Sequence, residues 1–334
     1  MTIKDIARES GYAVGTVSRV LNNHPEVSDT ARKKIMEVVD KYHFRLNSNA
    51  KHLKQQASKG VTIIVKGSQN MLFAAILERM QGLLEEKGYA CRISYIGEEE
   101  NEVEQALQVC RELRPLGLLF LGSNLEYFRE RFSEVPVPCV LATNSAEGLG
   151  FENLSSVGTD DASAAAAAID HLVSLGHVKI GILGGQMESS QAAYTRYQGC
   201  KQALASHRIV FDPERQYEAA LFSMQAGYQA LERLMEKMPD LTAVFAMSDV
   251  MAVGAVRAIR DKGRQVPGDI SVVGFDGIEL SQYLTPKLTT IRQDRERIAD
   301  RSVELLIESI GEGKAAAHEV VPFRVIVGES TGKL

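Results

Sequence analysis

Beyond Val61 the chain falls into short apolar runs separated by helical stretches, and this alternation restricts its fold more than any other feature. Val61–Val65, Ala90–Ile96, Gly117–Leu121 and Val137–Ala142 are four such runs, of strand length and too short for buried helices. Amphipathic segments lie between them, the first running through Leu84 and ending at Lys87-Gly88. After Asp160 the alternation restarts. An alanine-rich helix runs to Leu175-Gly176, followed by a strand at Lys179–Leu183, a helix around Tyr197–Ala205, and strands at Thr242–Met247 and Ile270–Phe275. Strands joined by helices at this spacing pair in parallel through right-handed crossovers. Two blocks of similar length predict two doubly wound α/β lobes, with a ligand site between them at the carboxyl ends of the strands.

The first two dozen residues follow a different rhythm, that of two short amphipathic helices. Thr2 can cap the first, and Asp5 three residues on completes a capping-box-like pair. Ile3, Ile6 and Ala7 then share one face, and Gly11 supplies the tight turn that stops the helix. A second helix resumes near Val14, with Val17, Val20 and Leu21 at helical spacing, and Asn22 and Asn23 end it. Ser28 caps a third helix, Asp29 to about Tyr42, with Ile35, Val38, Val39 and Tyr42 as its buried stripe. The pattern predicts a helix-turn-helix whose second helix fits a DNA major groove.

Charge separates the two regions. The whole chain carries a formal net charge of -5. Residues 1–59 hold eleven Lys and Arg against six Asp and Glu, about +5, which leaves about -10 for the rest. A basic arm on an acidic body suits a DNA reader joined to a sensing module. Cys91, Cys110, Cys139 and Cys200 are scattered with no C-x-x-C pair, as expected of reduced thiols in a cytoplasmic protein with no metal site. No apolar stretch approaches a membrane span, and the start of the chain is a charged helix without the features of a signal peptide.

Residue identities sharpen this reading. T-I-K-D-I-A at Thr2–Ala7 and T-V-S-R-V-L-N at Thr16–Asn22 resemble the headpiece of the lactose-repressor/galactose-repressor family of bacterial transcription regulators. Phe44–Lys54 resembles that family's hinge helix, with Asn47, Ala50 and Leu53 at matching places and Leu46 where proline is usual. Further on, five phrases in the family's order resemble its periplasmic-binding-protein-like module. They are His171–Gly185, Thr195–Leu204, Phe245–Ala255, Val266–Asp276 and Leu284–Gln293. The resemblance implies a helix-turn-helix headpiece over 1–45, a hinge helix and linker over 46–59, and a two-lobed α/β core over 60–334. Three crossings would place about 60–160 and 293–319 in the first lobe, and 161–292 and 320–334 in the second. No leucine-heptad tail is present, so the implied assembly is a homodimer.

Site residues follow from the same resemblance. In the headpiece Val14 and Gly15 occupy the positions that choose the operator; valine can meet a thymine methyl, and glycine leaves a void. Arg19 can fork onto guanine, Thr16 and Ser18 suit phosphate, and Thr2 and Asn22 are further implied DNA-binding residues. Ala13 stands where a capping serine is usual, which puts one phosphate contact in doubt. Leu53 would wedge between base pairs in the minor groove, presented with Asn47 and Ala50 on a helix that folds on DNA. In the core Arg196, Asp276, Gln293 and Ser163 are the implied effector contacts, with Phe73 and Phe222 as aromatic faces against a sugar, although a plain core role suits both rings equally well. Ser248 and Asp249 complete the set, Asp249 serving equally well to cap the next helix.

The expected function is a ligand-responsive repressor of a carbohydrate-utilisation operon, acting at a pseudo-palindromic operator and released by a sugar. A non-sugar co-repressor, a purine or a carrier protein, is the alternative within that class, and a solute-binding protein lies further away. An enzyme is not expected, because G-x-S-x-G, H-E-x-x-H and P-loop motifs are missing and the seven histidines are scattered. No cofactor is implied.

Overall fold

The computed structural model describes residues 3–21, 27–42, 60–67, 70–187 and 190–334. The chain divides into two compact units, Met1–Ala57 and Ser58–Leu334. In the smaller unit the helices are Ile3–Ser10, Val14–Leu21 and Asp29–Lys41. Ile6, Ala7, Val17, Val20, Ile35 and Val39 form its core. Gly11 makes the turn at a φ of +74°, which a side chain would oppose. Ser28 Oγ accepts from the Ala31 amide and caps the third helix. Tyr42 departs from the expected stripe. It lies just past the helix end, is exposed, and donates its hydroxyl to Glu9 Oε2 at 3.3 Å, while Ala31 takes a buried place instead. Thr2, Asn22 and the whole hinge segment with Asn47, Ala50 and Leu53 lie outside the described residues.

The larger unit contains two six-stranded sheets. The strands in chain order are β1 (Gly60–Lys66), β2 (Ala90–Ile96), β3 (Gly117–Leu121), β4 (Cys139–Ala142), β5 (Leu154–Thr159), β6 (Ile180–Gly184), β7 (Tyr217–Ala219), β8 (Ala243–Ala246), β9 (Ser271–Asp276), β10 (Thr289–Gln293), β11 (His318–Val321) and β12 (Phe323–Ile326). The first sheet runs β11-β5-β4-β3-β1-β2 and the second β12-β10-β9-β8-β6-β7. All pairs are parallel except β10 with β12. Helices cover both faces of each sheet, so central strands are apolar on both sides. In β1, Val61, Ile63 and Val65 face one core cluster while Ile64 faces another.

The chain crosses between the sheets three times. After β5 it enters the helix Asp161–Ser174, whose Ala164, Ala165 and Ala168 are buried in the second lobe. After β10 it returns, and the helix Arg295–Glu312 buries Ile298, Ala299, Val303 and Leu306 in the first lobe. Pro322 separates β11 in the first sheet from β12 in the second. These last crossings fall one and two residues later than the lobe limits drawn from the sequence, because β10 pairs through Gln293 with Phe323 and β11 pairs through Val321 with Thr159.

Small residues set how closely the second lobe's helices approach. A methyl on Gly254 would lie 2.0 Å from the Met224 carbonyl oxygen, and one on Gly227 would lie 2.4 Å from that of Met251. The helices Met224–Lys237 and Asp249–Asp261 therefore touch backbone to backbone. Gly254→Ala is expected to destabilise the core by about 1–3 kcal/mol through overpacking. This would occur although alanine favours an isolated helix by about 1 kcal/mol over glycine. Urea unfolding measures the difference, and a variant as stable as the wild type would show that this contact yields freely.

Candidate functional site

The second helix of the small unit has two distinct faces. Val17 and Val20 are buried against Ile6 and Ile35. Val14, Gly15 and Arg19 are exposed, and Thr16 and Ser18 are half-buried beside them. Positions 14, 15, 18 and 19 recur at helical spacing, so one solvent-facing stripe carries an apolar tip, a gap, a hydroxyl and a guanidinium. Ala13 contributes only its carbonyl, which accepts from the Thr16 and Val17 amides. The expected capping side chain is replaced by a methyl, so the first turn starts without that hydrogen bond.

In the large unit a cleft of about 970 Å³, partly open to solvent, opens at the carboxyl ends of the strands. Lys66 at the end of β1, Ser123 after β3 and Asn144 after β4 line it from the first lobe. Gln186 after β6, Asp276 at the end of β9 and Gln293 at the end of β10 line it from the second. Two phenylalanines face it from opposite lobes. Phe73, on the helix Met71–Glu86, packs against Gly122, and Phe222, following β7, packs against Gly185. Each glycine lets a ring lie directly on the backbone that follows a strand.

The polar groups are held by a tight internal network. Arg196, on the helix Gln191–Ser206, is 6% exposed. Its Nε donates to Asp161 Oδ1 at 2.8 Å and its Nη1 to the Met247 carbonyl at 2.6 Å, and the guanidinium lies 3.7 Å from the Phe275 ring centroid. Burial pushes the Asp161 carboxyl above its usual range, and Arg196 offsets part of that rise. Asp276 is equally buried, and its carboxyl is pushed up to about 7 by burial, with Arg196 and Gln293 opposing. Its φ of +111° is a conformation that costs a non-glycine residue about 1–3 kcal/mol.

One hydrogen-bonded chain crosses between the lobes. Thr159 Oγ1, at the end of β5, donates to Gln293 Oε1 at 2.9 Å, and Gln293 Nε2 donates to Asp276 Oδ1 at 2.9 Å. Two of the three crossing points are thereby joined to the floor of the cleft.

Of the core residues read from the sequence, Phe73, Arg196, Phe222, Asp276 and Gln293 come together on the cleft wall. Ser163 does not. It is exposed at a helix start, where its hydroxyl donates to Asp160 Oδ2 at 2.6 Å. Ser248 caps the helix Asp249–Asp261 by accepting from the Met251 amide. Asp249 is fully buried, accepting from the Ile278 amide at 2.8 Å and the Thr290 hydroxyl at 2.6 Å. It ties down the turn that follows Asp276 and does not reach the cleft. Lys66, Ser123, Asn144 and Gln186 were not anticipated, although each lies at or just beyond the end of a strand that the sequence made visible.

Residues 2–47 match the pattern of bacterial regulatory proteins of the lacI family, and residues 169–331 match a periplasmic binding protein-like domain. The chain is 34% identical over 339 residues to the HTH-type transcriptional regulator MalR of Clostridium butyricum, covering 99% of each protein. It is 31% identical over 309 residues to the ribose operon repressor of Haemophilus influenzae, covering 92% of each. Among solved structures, the transcriptional regulator CelR in complex with cellobiose is similar at a TM-score of 0.72 and 25% identity, over 99% of both chains.

Proposed function

The chain belongs to the lacI family of bacterial regulatory proteins, and we propose that it represses a carbohydrate-utilisation operon from a pseudo-palindromic operator and is released when a sugar fills its cleft. It is a DNA-binding transcription regulator. The observation that carries the sugar reading is the pair of phenylalanine faces, one from each lobe, around Arg196, Asp276 and Gln293. Ring faces suit the C–H surfaces of a sugar, and the guanidinium and carboxyl suit adjacent hydroxyls. The cellobiose complex of a similar regulator and the ribose operon repressor support the same ligand class. In this reading the protein is a cytoplasmic homodimer without catalytic activity. Among the described residues no helix is long and apolar enough to cross a membrane.

In the mechanism a sugar touching both lobes fixes the angle between them. That angle decides whether the two hinge segments of a dimer can fold together in one minor groove, with Leu53 as the wedge. Coupling must be reciprocal: sugar weakens operator binding by the same factor as operator weakens sugar binding, typically about 5–150-fold. Fluorescence anisotropy of an operator selected from random DNA, with and without sugar, tests this. An operator affinity unmoved by every sugar that binds would refute induction, and a rise in affinity would make the sugar a co-repressor.

The reading helix makes its own prediction. Arg19→Ala is expected to cost about 1–3 kcal/mol of operator affinity and relax preference at one symmetric guanine. Binding-site selection with the variant checks both effects. Uniform weakening on specific and random DNA alike would reassign Arg19 to phosphate contact.

A further inference from the structure

We propose that the cleft selects an uncharged sugar and turns away phosphorylated and carboxylated ones; this rests on the sugar reading above and deepens it. Among the described residues lining the cleft, the cations are Lys66 and Arg196, and both are already committed. Lys66 Nζ donates to the buried Glu102 at 2.7 Å and lies 5.0 Å from the Tyr127 ring centroid. Glu102 in turn accepts from the Asn124 amide, so its orientation is fixed. Arg196 is paired with the buried Asp161. Each cation therefore has its counter-charge built into the wall, and its remaining N–H groups can serve a hydroxyl without offering uncompensated charge.

The carboxyl groups of the wall outnumber its two cations, which already face Glu102 and Asp161. Glu98 and Glu99 line the first-lobe side and Asp276 the second. Burial raises the Glu98 carboxyl above its usual range, the neighbouring Glu99 adds to the rise, and Lys66 offsets part of it. Helix starts, which often bind anions, do not rescue one here. The helix at Met71 has its first amides occupied by Asn70 Oδ1, and the helix at Gln191 donates its Ala193 amide to Ser190 Oγ. A sugar phosphate in this cleft would meet capped helices, compensated cations and the Glu98 and Glu99 carboxyls. A neutral polyol would meet acceptors for its hydroxyls and two ring faces for its carbons.

The test is a thermal-shift panel on the full chain, followed by calorimetric Kd values for each hit. Probes are ribose, glucose, maltose and cellobiose beside ribose 5-phosphate, glucose 6-phosphate and glucuronate. At least one neutral sugar should raise the melting temperature, with its phosphate or uronate congener binding about 100-fold more weakly at low salt. That ratio should shrink as ionic strength rises. It should also fall about tenfold in the double variant Glu98→Gln, Glu99→Gln, whose fold is checked by circular dichroism. Tighter binding of a phosphate or uronate overturns the charge selection and leaves the sugar reading standing. A ratio that moves with neither salt nor the carboxamides shows steric selection and overturns the inference as well. No shift with any sugar removes the sugar reading itself, and this inference with it.

Discussion

Arg196→Ala is expected to destabilise the core by about 3–5 kcal/mol, the cost of leaving a buried charge without its partner. The stranded group is Asp161, whose carboxylate loses the 2.8 Å bond from Arg196 Nε. The Met247 carbonyl and the Phe275 ring lose their contacts as well. The deficit should depend on pH. Burial already raises the Asp161 carboxyl, and removing the guanidinium raises it further. A carboxyl raised in the folded state is no burden below its unfolded value near pH 4, and its stability contribution is lost as pH rises through the folded value. The deficit should therefore be small near pH 4 and grow toward neutrality. Urea unfolding at several pH values measures it. Combining Arg196→Ala with Asp161→Asn should recover roughly 0.5–3 kcal/mol, the range typical of contacting pairs. A single variant costing less than about 1 kcal/mol at pH 8 would show that the pair is not buried in solution.

Asp276→Asn should stabilise the ligand-free protein while weakening its response to sugar. The carboxyl titrates at about 7 in the folded chain, against an ordinary value of 3.8. Because the folded value is the higher one, the wild type loses stability as pH rises between those two values. At about 1.4 kcal/mol per unit, the amide should be more stable by about 2–4 kcal/mol at pH 8 and indistinguishable near pH 4. Gln293 Nε2 can still donate to the amide oxygen, so the chain to Thr159 is preserved. What is lost is a charged acceptor for hydroxyl groups, worth about 1.5–3 kcal/mol per bond. Sugar affinity should therefore fall about 10–100-fold. Melting curves across pH and calorimetry check the two halves separately. An amide variant that binds sugar like the wild type would remove Asp276 from the binding role.

Most of the two sheets was legible because strands covered on both faces are apolar throughout, as in Val61–Val65 and Gly117–Leu121. β5 was not, because its sequence L-S-S-V-G-T carries hydroxyls into a buried strand. Those hydroxyls are satisfied by partners far along the chain. Ser155 Oγ accepts from the Ala317 amide, and Ser156 Oγ lies 2.8 Å from His318 Nδ1, contacts that exist only once β11 is in place. The site divides in the same way. Arg196 and Asp276 stand in phrases distinctive enough to mark them. Lys66, Ser123 and Asn144 are ordinary residues made special by a strand ending beneath them. Ser163 and Ser248 had the right chemistry, but each is spent at the start of its own helix: the Ser163 hydroxyl donates to Asp160 Oδ2, and Ser248 Oγ accepts from the Met251 amide.

The three crossings have a consequence for how the protein is made. The first lobe begins at Gly60, yet the helix that covers its sheet ends at Glu312 and its edge strand at Val321. A ribosome adding about 5–20 residues per second needs roughly 8–30 s to travel from Thr159 to Val321. Throughout that interval the nascent first lobe presents Val61, Ile63 and Val157 without Ile298, Val303 and Leu306 to cover them. The second lobe, by contrast, has all but one of its strands once Gln293 has emerged. The lobe translated second can therefore fold first, and a stop codon placed after Gln293 would leave the earlier lobe, not the later one, with its core exposed.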